Sequence, residues 1–176
     1  MKQLSRFLII FGLVCYSFAG YYLWLRNDPN RLKFNGSIPT KQVVASESAQ
    51  VKPKAIPTRI SIKDLGIDLP VVQSRITNDT WETTQNGVSY LASSPLPGEK
   101  GNSVFYGHNW ANLLGPLVNI RTGQTIEVEL SDHTKKKFVV EYTSVVSPNQ
   151  ASILAPSKDK RITLYTCTGF VDAKRF

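Results

Sequence analysis

The stretch RITLYTC, residues 161–167, predicts a β-strand that ends at a cysteine, and this residue decides how the rest of the chain is interpreted. The chain has only two cysteines, and the other one, Cys15, lies in an N-terminal apolar run. If that run crosses a membrane, the two thiols lie in different phases and do not form a disulfide. A lone Cys167 on a domain outside the cytoplasm indicates a reactive nucleophile or intermolecular pairing, and a buried structural thiol is the simpler alternative.

The apolar run predicts a membrane anchor over residues 1–26. Residues 7–25 carry no charge, and as a helix they would span about 28 Å, close to the roughly 30 Å hydrocarbon core. Tyr21, Tyr22 and Trp24 cluster at the far end, as interfacial aromatic residues do. The alternative is a cleaved signal peptide, but apolar sequence continues past its candidate cleavage site. The short basic start favours a single-pass protein of the cell membrane, with a cytoplasmic N-terminus and the rest of the chain outside.

Composition narrows the class of partner. The net charge is +8, but the basic residues are scattered, with short groups at 135–137 and 158–161. No arginine-rich helix or RNA-binding aromatic motif appears, so no nucleic-acid partner is expected. A basic surface that faces an anionic envelope or membrane explains the charge equally well. No cluster of His, Cys and carboxylate residues predicts a metal site, and no cofactor is expected.

The chain after the anchor divides into two parts. Residues 27–55 are polar, contain several prolines and show little periodicity, which predicts a flexible stalk. Residues 56–176 alternate short β-like runs with turns, which predicts one compact domain with a core of its own.

Two hairpins are expected in this domain. One joins 59–62 to 67–72, and the other joins 125–130 to 137–146. A short helix is expected within 77–85. Many short strands with few helices predict a mainly β fold, a closed or nearly closed β-barrel.

Three residues of the domain form a candidate catalytic set. His108 and Cys167 each follow an apolar run, so both are expected at strand ends. A free thiol is only a few per cent thiolate at neutral pH, and a nearby imidazole would take its proton and later protonate a leaving amine. Arg175 would supply positive charge where an oxyanion develops. Sequence spacing alone does not show that the three residues meet.

These motifs resemble those of the sortases, the membrane-anchored cysteine transpeptidases of bacterial cell surfaces. Residues 163–167 match the TLxTC motif of that family, with Tyr165 at the variable position. Residues 106–109 resemble its glycine-histidine motif, and 174–176 resemble the start of the strand that carries its arginine. The resemblance covers residues 56–176.

The resemblance implies a closed eight-stranded β-barrel and a defined reaction. Cys167 would attack a carbonyl of an LPxTG-like sorting signal, His108 would act as acid and base, and Arg175 would steady the substrate and the oxyanion. The product would join a surface protein to an amine of peptidoglycan or of a pilin. Thr166 and Asn109 are the expected substrate-binding residues. Some sortases use calcium, but no acidic cluster here predicts a calcium site.

The chain also departs from the family. The segment 168–171 leaves little room for a long lid, and the chain stops at Phe176, where the family has a further strand. We therefore expect a truncated last strand, a poorly fixed Arg175 and reduced activity in this form. Two alternatives to the transpeptidase stay open. One is a catalytically idle barrel that binds envelope proteins, and the other is a thiol hydrolase that releases the acyl group to water.

Overall fold

A long N-terminal helix precedes a β-rich domain. The computed structural model describes residues 2–26, 28–35, 54–78, 80–169 and 174–176. Helix α1, Lys2–Arg26, contains a segment, Gln3–Leu25, that is long and apolar enough to cross a membrane. Its large apolar side chains, such as Phe18 and Leu23, are exposed rather than packed on the domain. The predicted anchor therefore forms a helix that can serve as one.

Ten strands occur in the described part of the chain, with short 3₁₀ helices between some of them. The strands are β1 Pro57–Ile62, β2 Ile67–Ser74, β3 Ile76–Thr77, β4 Thr80–Trp81, β5 Val88–Leu91, β6 Gly101–Gly107, β7 Thr125–Leu130, β8 Lys135–Val139, β9 Lys160–Thr168 and β10 Lys174–Arg175. The 3₁₀ helices are Pro29–Leu32, Lys63–Leu65, Gly115–Asn119 and Ala151–Leu154.

Eight of these strands form one curled sheet, in the order β10-β9-β6-β5-β2-β1-β7-β8. The pairs β2–β5 and β6–β9 are parallel, and the other pairs are antiparallel. Strand β6 is buried along its whole length, as expected for a central strand whose two faces are both covered. The fold is therefore mainly β, with the sheet wrapped around the core.

The predicted closed barrel is not what the structure shows, because β8 and β10 form two separate edges. Between β8 and β9 lies a groove of about 460 Å³, whose walls include Phe138, Ile162 and Leu164. Strand β10 pairs with β9 only opposite Cys167 and Thr168. Along the rest of that edge, no strand among the described residues pairs with β9, so the sheet remains open.

Both predicted hairpins form. Strands β1 and β2 pair directly, and β7 pairs with β8, although β8 begins at Lys135 and ends at Val139. The helix expected within 77–85 is wrong. Residues Ile76–Thr77 and Thr80–Trp81 instead form a two-stranded hairpin, in which Asn78 has a φ of 50°, a left-handed value that asparagine tolerates better than most residues. The buried Trp81 joins an aromatic cluster, and this packing overrides the local helix signal.

The core has two parts. One lies within the curl of the sheet and includes Ile60, Phe105 and Val128. The other lies at the end of β6 and β9 and includes Tyr106, Tyr165 and Cys167, together with two residues from outside the sheet, Leu32 and Phe34.

Residues 28–35 pack against the domain, so the prediction of a flexible stalk over 27–55 does not hold for them. Asp28 caps the 3₁₀ helix Pro29–Leu32 by accepting a hydrogen bond from the Asn30 backbone N–H at 2.9 Å. Asn35 then bonds to the Pro148 carbonyl at 2.8 Å. Residues 36–53 lie outside the described residues. We call residues 28–35 the covering segment, because they lie over the end of β9.

Candidate active site

The sheet places the three predicted catalytic residues on adjacent strands. Strands β6 and β9 are parallel neighbours in which Gly107 pairs with Thr166, so His108 and Cys167 follow at the same end. Neighbouring strands are about 4.8 Å apart, which puts the two side chains within reach of each other. On the other side of β9, Arg175 pairs directly with Cys167. Parallel pairing therefore brings together two motifs that are far apart in sequence.

All three residues are buried, with 3% of Cys167, 6% of His108 and 4% of Arg175 exposed. Water is largely excluded from this end of the sheet in the covered form. Charges and hydrogen bonds act more strongly in such an environment than at the surface.

Arg175 is firmly held, in contrast to the expectation for a residue at an open edge. Its backbone exchanges two hydrogen bonds with Val146, at 2.8 and 2.9 Å, while its register partner on β9 is Cys167. The next residue, Phe176, exchanges two more with Thr166, both at 2.9 Å. A very short strand therefore suffices to fix the backbone of Arg175, because it is paired on both sides, while its guanidinium group donates to Lys33 O and Lys174 O.

His108 is positioned by the turn that follows β6. Its ring stacks on Trp110, with ring centres 4.7 Å apart and planes 11° apart. Its carbonyl accepts a hydrogen bond from Leu114 N at 3.1 Å, and Gly115 N bonds to Trp110 O at 2.9 Å. A Cβ at Gly115 would lie 2.6 Å from the Trp110 carbonyl oxygen. Only glycine therefore lets the turn close and keep Trp110 against the imidazole.

The two predicted substrate-binding residues lie beside this set. Thr166 is fully buried, and its hydroxyl donates to the Gly107 carbonyl at 2.8 Å, which ties β9 to β6. Because side chains alternate along a strand, Thr166 faces away from the side that Cys167 occupies. Asn109 is half-buried next to His108. A substrate contact by either residue stays a prediction. The second histidine, His133, lies exposed in the turn between β7 and β8.

The covering segment contacts the site through three successive backbone carbonyls. The Cys167 thiol donates to Arg31 O at 3.0 Å, the Tyr165 hydroxyl donates to Leu32 O at 3.0 Å, and Arg175 Nη2 donates to Lys33 O at 2.8 Å. Cys167 and Tyr165 belong to β9, where residues two apart share a face. The nucleophile candidate is therefore covered by peptide backbone in this structure.

The side chains of the covering segment fill an aromatic pocket, which we define by Trp81 and Tyr165. Phe34 meets Tyr165 edge-on at 5.1 Å and lies 6.4 Å from Trp81, between ring centres. Tyr106 and Tyr165 stack at 5.6 Å. Leu32 and Phe34 are 0% and 1% exposed, so burial of apolar surface holds the segment down as much as its hydrogen bonds do.

Burial also fixes the protonation of the Tyr165 hydroxyl and of the hydroxyl of Tyr106, on which Tyr165 stacks. It raises the pKa of the Tyr165 hydroxyl well above its usual value, and it raises the pKa of Tyr106 in the same direction. Both hydroxyls therefore keep their protons at neutral pH. Tyr106 donates to the Glu82 carbonyl within the domain, at 2.6 Å, whereas Tyr165 donates to the covering segment.

Sequence reasoning missed the covering segment and its hydrogen bond with Tyr165. The apolar Leu32 and Phe34 stand out in a polar stretch, and Asp28-Pro29 is a typical start of a helical turn, so a signal was present. Tyr165 stands at the variable position of the motif, where the sequence does not indicate its contact with the covering segment. Among the described residues, no group of three or more His, Cys, Asp or Glu could hold a metal ion.

Comparison with known proteins gives one consistent result. A family model described as the sortase domain matches residues 60–176. Sortase A from Corynebacterium diphtheriae, a lid mutant, is 28% identical over 70% of this chain and 68% of its own, with a TM-score of 0.58. Sortase C1 from Streptococcus agalactiae, in complex with MTSET, is 25% identical over 67% of this chain and 64% of its own, with a TM-score of 0.58.

A further solved structure shows likeness of fold over more of the chain. Sortase C1 of GBS pilus island 1 is 24% identical over 89% of this chain and 74% of its own, with a TM-score of 0.59. No curated protein sequence matches the chain.

Proposed function

Because the chain belongs to the sortase family, with its sortase domain over residues 60–176, we propose that it is a cysteine transpeptidase. Its substrate is an LPxTG-like sorting signal near the C-terminus of a surface protein or pilin. The observation that carries the proposal is the placement of His108, Cys167 and Arg175 at one end of three adjacent strands.

The first half of the reaction forms a thioester. His108 takes the proton of Cys167, and the sulfur attacks the carbonyl carbon of the scissile peptide bond. Negative charge develops on the carbonyl oxygen, where the Arg175 guanidinium group stabilises it. The C–N bond then breaks, and His108 gives the proton to the departing amine. The substrate reaches the sulfur only after the covering segment has moved, since Arg31 O occupies that place.

The second half of the reaction forms a new amide. An incoming amine attacks the thioester carbon, His108 accepts the amine proton, and the C–S bond breaks to regenerate the Cys167 thiol. One peptide bond is exchanged for another, so no oxidant, reductant or cofactor is needed. The acceptor is an amine of peptidoglycan or of a pilin. The description of the sortase C of Streptococcus pneumoniae, which has a similar fold, refers to pilin substrate specificity, and a pilin is therefore included among the candidate partners.

We further propose that helix α1, acting as a membrane anchor, keeps this chemistry close to the lipid. Only residues 27–30 separate the end of α1 from Arg31, so at most about 18 Å of chain joins the helix to the thiol's hydrogen-bond partner. With α1 as a single-pass anchor and its N-terminus in the cytoplasm, the covered site lies just outside the membrane. A sorting signal that is followed by a membrane-embedded apolar segment would lie at a similar distance from the membrane surface.

The test is the fate of a sorting peptide. The full-length protein in detergent is incubated with a set of LPxTG-like peptides, with and without an amine acceptor, and products are separated by mass spectrometry. The proposal predicts a ligated product that depends on the amine and disappears in Cys167→Ala. Cleavage to the free acid alone, whatever the amine, would identify a thiol hydrolase. Binding of a peptide without cleavage would identify an idle barrel.

A further inference from the structure

The hydroxyl of Tyr165 has one described hydrogen-bond partner, and that partner lies in the covering segment. Tyr165 is 1% exposed, and its ring is fixed by stacking on Tyr106 and by edge contacts with Trp81 and Phe34. The hydroxyl donates to the Leu32 carbonyl at 3.0 Å. The contacts with Tyr106 and Trp81 lie within the domain, so they favour the same ring position after the covering segment has moved.

The Tyr165 hydroxyl points to a position that the backbone of a peptide lying across the site would occupy. Tyr165 shares a face of β9 with Cys167, and Arg175 pairs with Cys167 from the next strand. The three donors are bonded to the carbonyls of three consecutive residues, Arg31, Leu32 and Lys33. These donors therefore bind backbone rather than a particular side chain. A peptide that lies across the site in the place of residues 31–33 would meet all three donors.

Departure of the covering segment leaves the Tyr165 hydroxyl in an apolar surrounding. Tyr165 belongs to the same buried cluster as Leu91, Val104 and Leu154. A donor with no acceptor in such a place is costly, and a water held there must be replaced when a substrate binds. A backbone carbonyl of the substrate at the position of Leu32 O restores the bond. An apolar substrate side chain can take the space that Leu32 and Phe34 leave.

We propose that Tyr165 is a substrate-binding residue, whose hydroxyl donates to a backbone carbonyl of the sorting peptide after the covering segment has been displaced. This inference rests on the proposed function for the identity of the peptide. The aromatic pocket beside Tyr165 takes an apolar side chain of the same peptide. The covering segment occupies the groove in the resting protein because it offers the same two features, a carbonyl and apolar side chains.

The chain supplies a matched control. Tyr106 is buried like Tyr165 and stacks on it, but its hydroxyl donates to Glu82 O within the domain. Tyr165→Phe and Tyr106→Phe each remove one hydroxyl and keep the ring. Both variants are made in a full-length Cys15→Ser background, so that Cys167 is the only thiol. Thermal unfolding is measured for each, so that a general loss of stability is seen in both.

The first measurement needs no catalysis. The covering segment is loosened in the full chain by Leu32→Ser together with Phe34→Ser, and a fluorescent peptide with the sequence of residues 28–35 is used as the probe. Loss of one hydrogen bond is expected to weaken binding about five-fold in Tyr165→Phe, with no change in Tyr106→Phe. Equal binding by the two variants would overturn the proposal, even if no sorting peptide is ever cleaved.

The second measurement uses a cleaved sorting peptide in the same loosened background. Tyr165→Phe is expected to raise KM about five-fold with little change in kcat, because the bond is present before and during the reaction. Tyr106→Phe is expected to leave both constants unchanged. An unchanged KM in Tyr165→Phe, with faster alkylation of Cys167 in the otherwise unmodified chain, would restrict Tyr165 to holding the covering segment and would overturn the proposal. Absence of cleavage in every variant contradicts the proposed function instead, and binding of a fluorescent LPxTG-like peptide, compared between Tyr165→Phe and Tyr106→Phe, then decides the role of Tyr165.

Discussion

The two ends of β9 differ in what lies against them. At its end, Tyr165 and Cys167 are enclosed by β6, by β10 and by the covering segment. At its start, Arg161 and Ile162 pair with β6 on one side and face the open groove on the other. Strand β9 is therefore paired on both sides at the end where the chemistry is proposed. At its start it is paired on one side only, and there the sheet is open. The comparison shows that an open sheet does not by itself separate His108, Cys167 and Arg175.

Local pairing explains this difference. The link between Arg175 and Val146, and the link between Phe176 and Thr166, complete the site with very few residues of β10. Catalysis depends on groups held in position, and these links hold Arg175 without a closed barrel. Stability depends on buried apolar area, which the open groove reduces. We therefore expect changes at the covered end to alter activity and changes at the open edge to alter stability.

The largest effect is expected for the histidine at the covered end. His108→Ala removes the group that moves the proton, and we expect kcat/KM to fall by about 10³-fold or more. His133→Ala, in the exposed turn between β7 and β8, is the matched control and should change little. Steady-state cleavage of a sorting peptide measures both. A larger loss in His133→Ala would show that the wrong histidine had been assigned.

The next effect concerns Arg175. Arg175→Lys keeps the charge but loses the planar fork of donors, one of which now reaches Lys33 O. We expect kcat/KM to fall by about 10²-fold, as for the loss of one donor that stabilises an oxyanion. Turnover in this variant equal to that of the unmodified protein would remove Arg175 from the mechanism.

A smaller effect is expected from the covering segment. Phe34→Ser removes a fully buried ring from the aromatic pocket and exposes the site more often. Burial of such a side chain is worth about 1.5–3 kcal/mol, so alkylation of Cys167 should be about 10- to 100-fold faster. The rate is measured with a maleimide in a Cys15→Ser background. An unchanged rate would mean that residues 28–35 do not control access to the thiol.

The smallest effect on activity is expected at the open edge. An extension of about six alternating threonine and valine residues after Phe176 would lie in the groove as a strand, with the valines inward on the side of Phe176. We expect the free energy of unfolding to rise by about 2 kcal/mol. Because Arg175 is already held by Val146, turnover should change little.

The control for this extension is an alternating glycine and serine segment of the same length. Urea unfolding and peptide turnover are measured for both. A large gain in turnover with the threonine and valine extension would show that the site itself is incomplete without a strand there. Equal stability of the two extended forms would show that no strand enters the groove.

The sequence predicted the elements of the site better than their surroundings. His108 and Cys167 could be placed at strand ends because apolar runs precede both, and the family resemblance supplied their juxtaposition. The sequence alone could not correct the expectations of a closed barrel and of a poorly fixed Arg175. The pairing of Arg175 with Val146 is a long-range contact, and it leaves no local sequence pattern. The helix expected within 77–85 failed because the packing of Trp81 decides that segment.

The covering segment escaped prediction for a similar reason. A polar, proline-containing stretch is typical of a linker, and two apolar residues in it are a weak signal. Their burial against Tyr165 and Trp81 depends on a pocket built from β4, β6 and β9. Only the folded domain creates that pocket, so the segment's place follows from tertiary structure rather than from its own composition.

The most direct test of the account is the intact mass of the protein during turnover. The full-length chain with Leu32→Ser and Phe34→Ser, which opens the covered end of β9, is mixed with a sorting peptide in the absence of an amine acceptor and is quenched in acid. We predict an added mass equal to the acyl part of the peptide, located on Cys167 and removed by hydroxylamine, as a thioester is. Peptide cleavage without such an adduct, or cleavage that persists undiminished in Cys167→Ala, would contradict the assignment of Cys167 as the nucleophile.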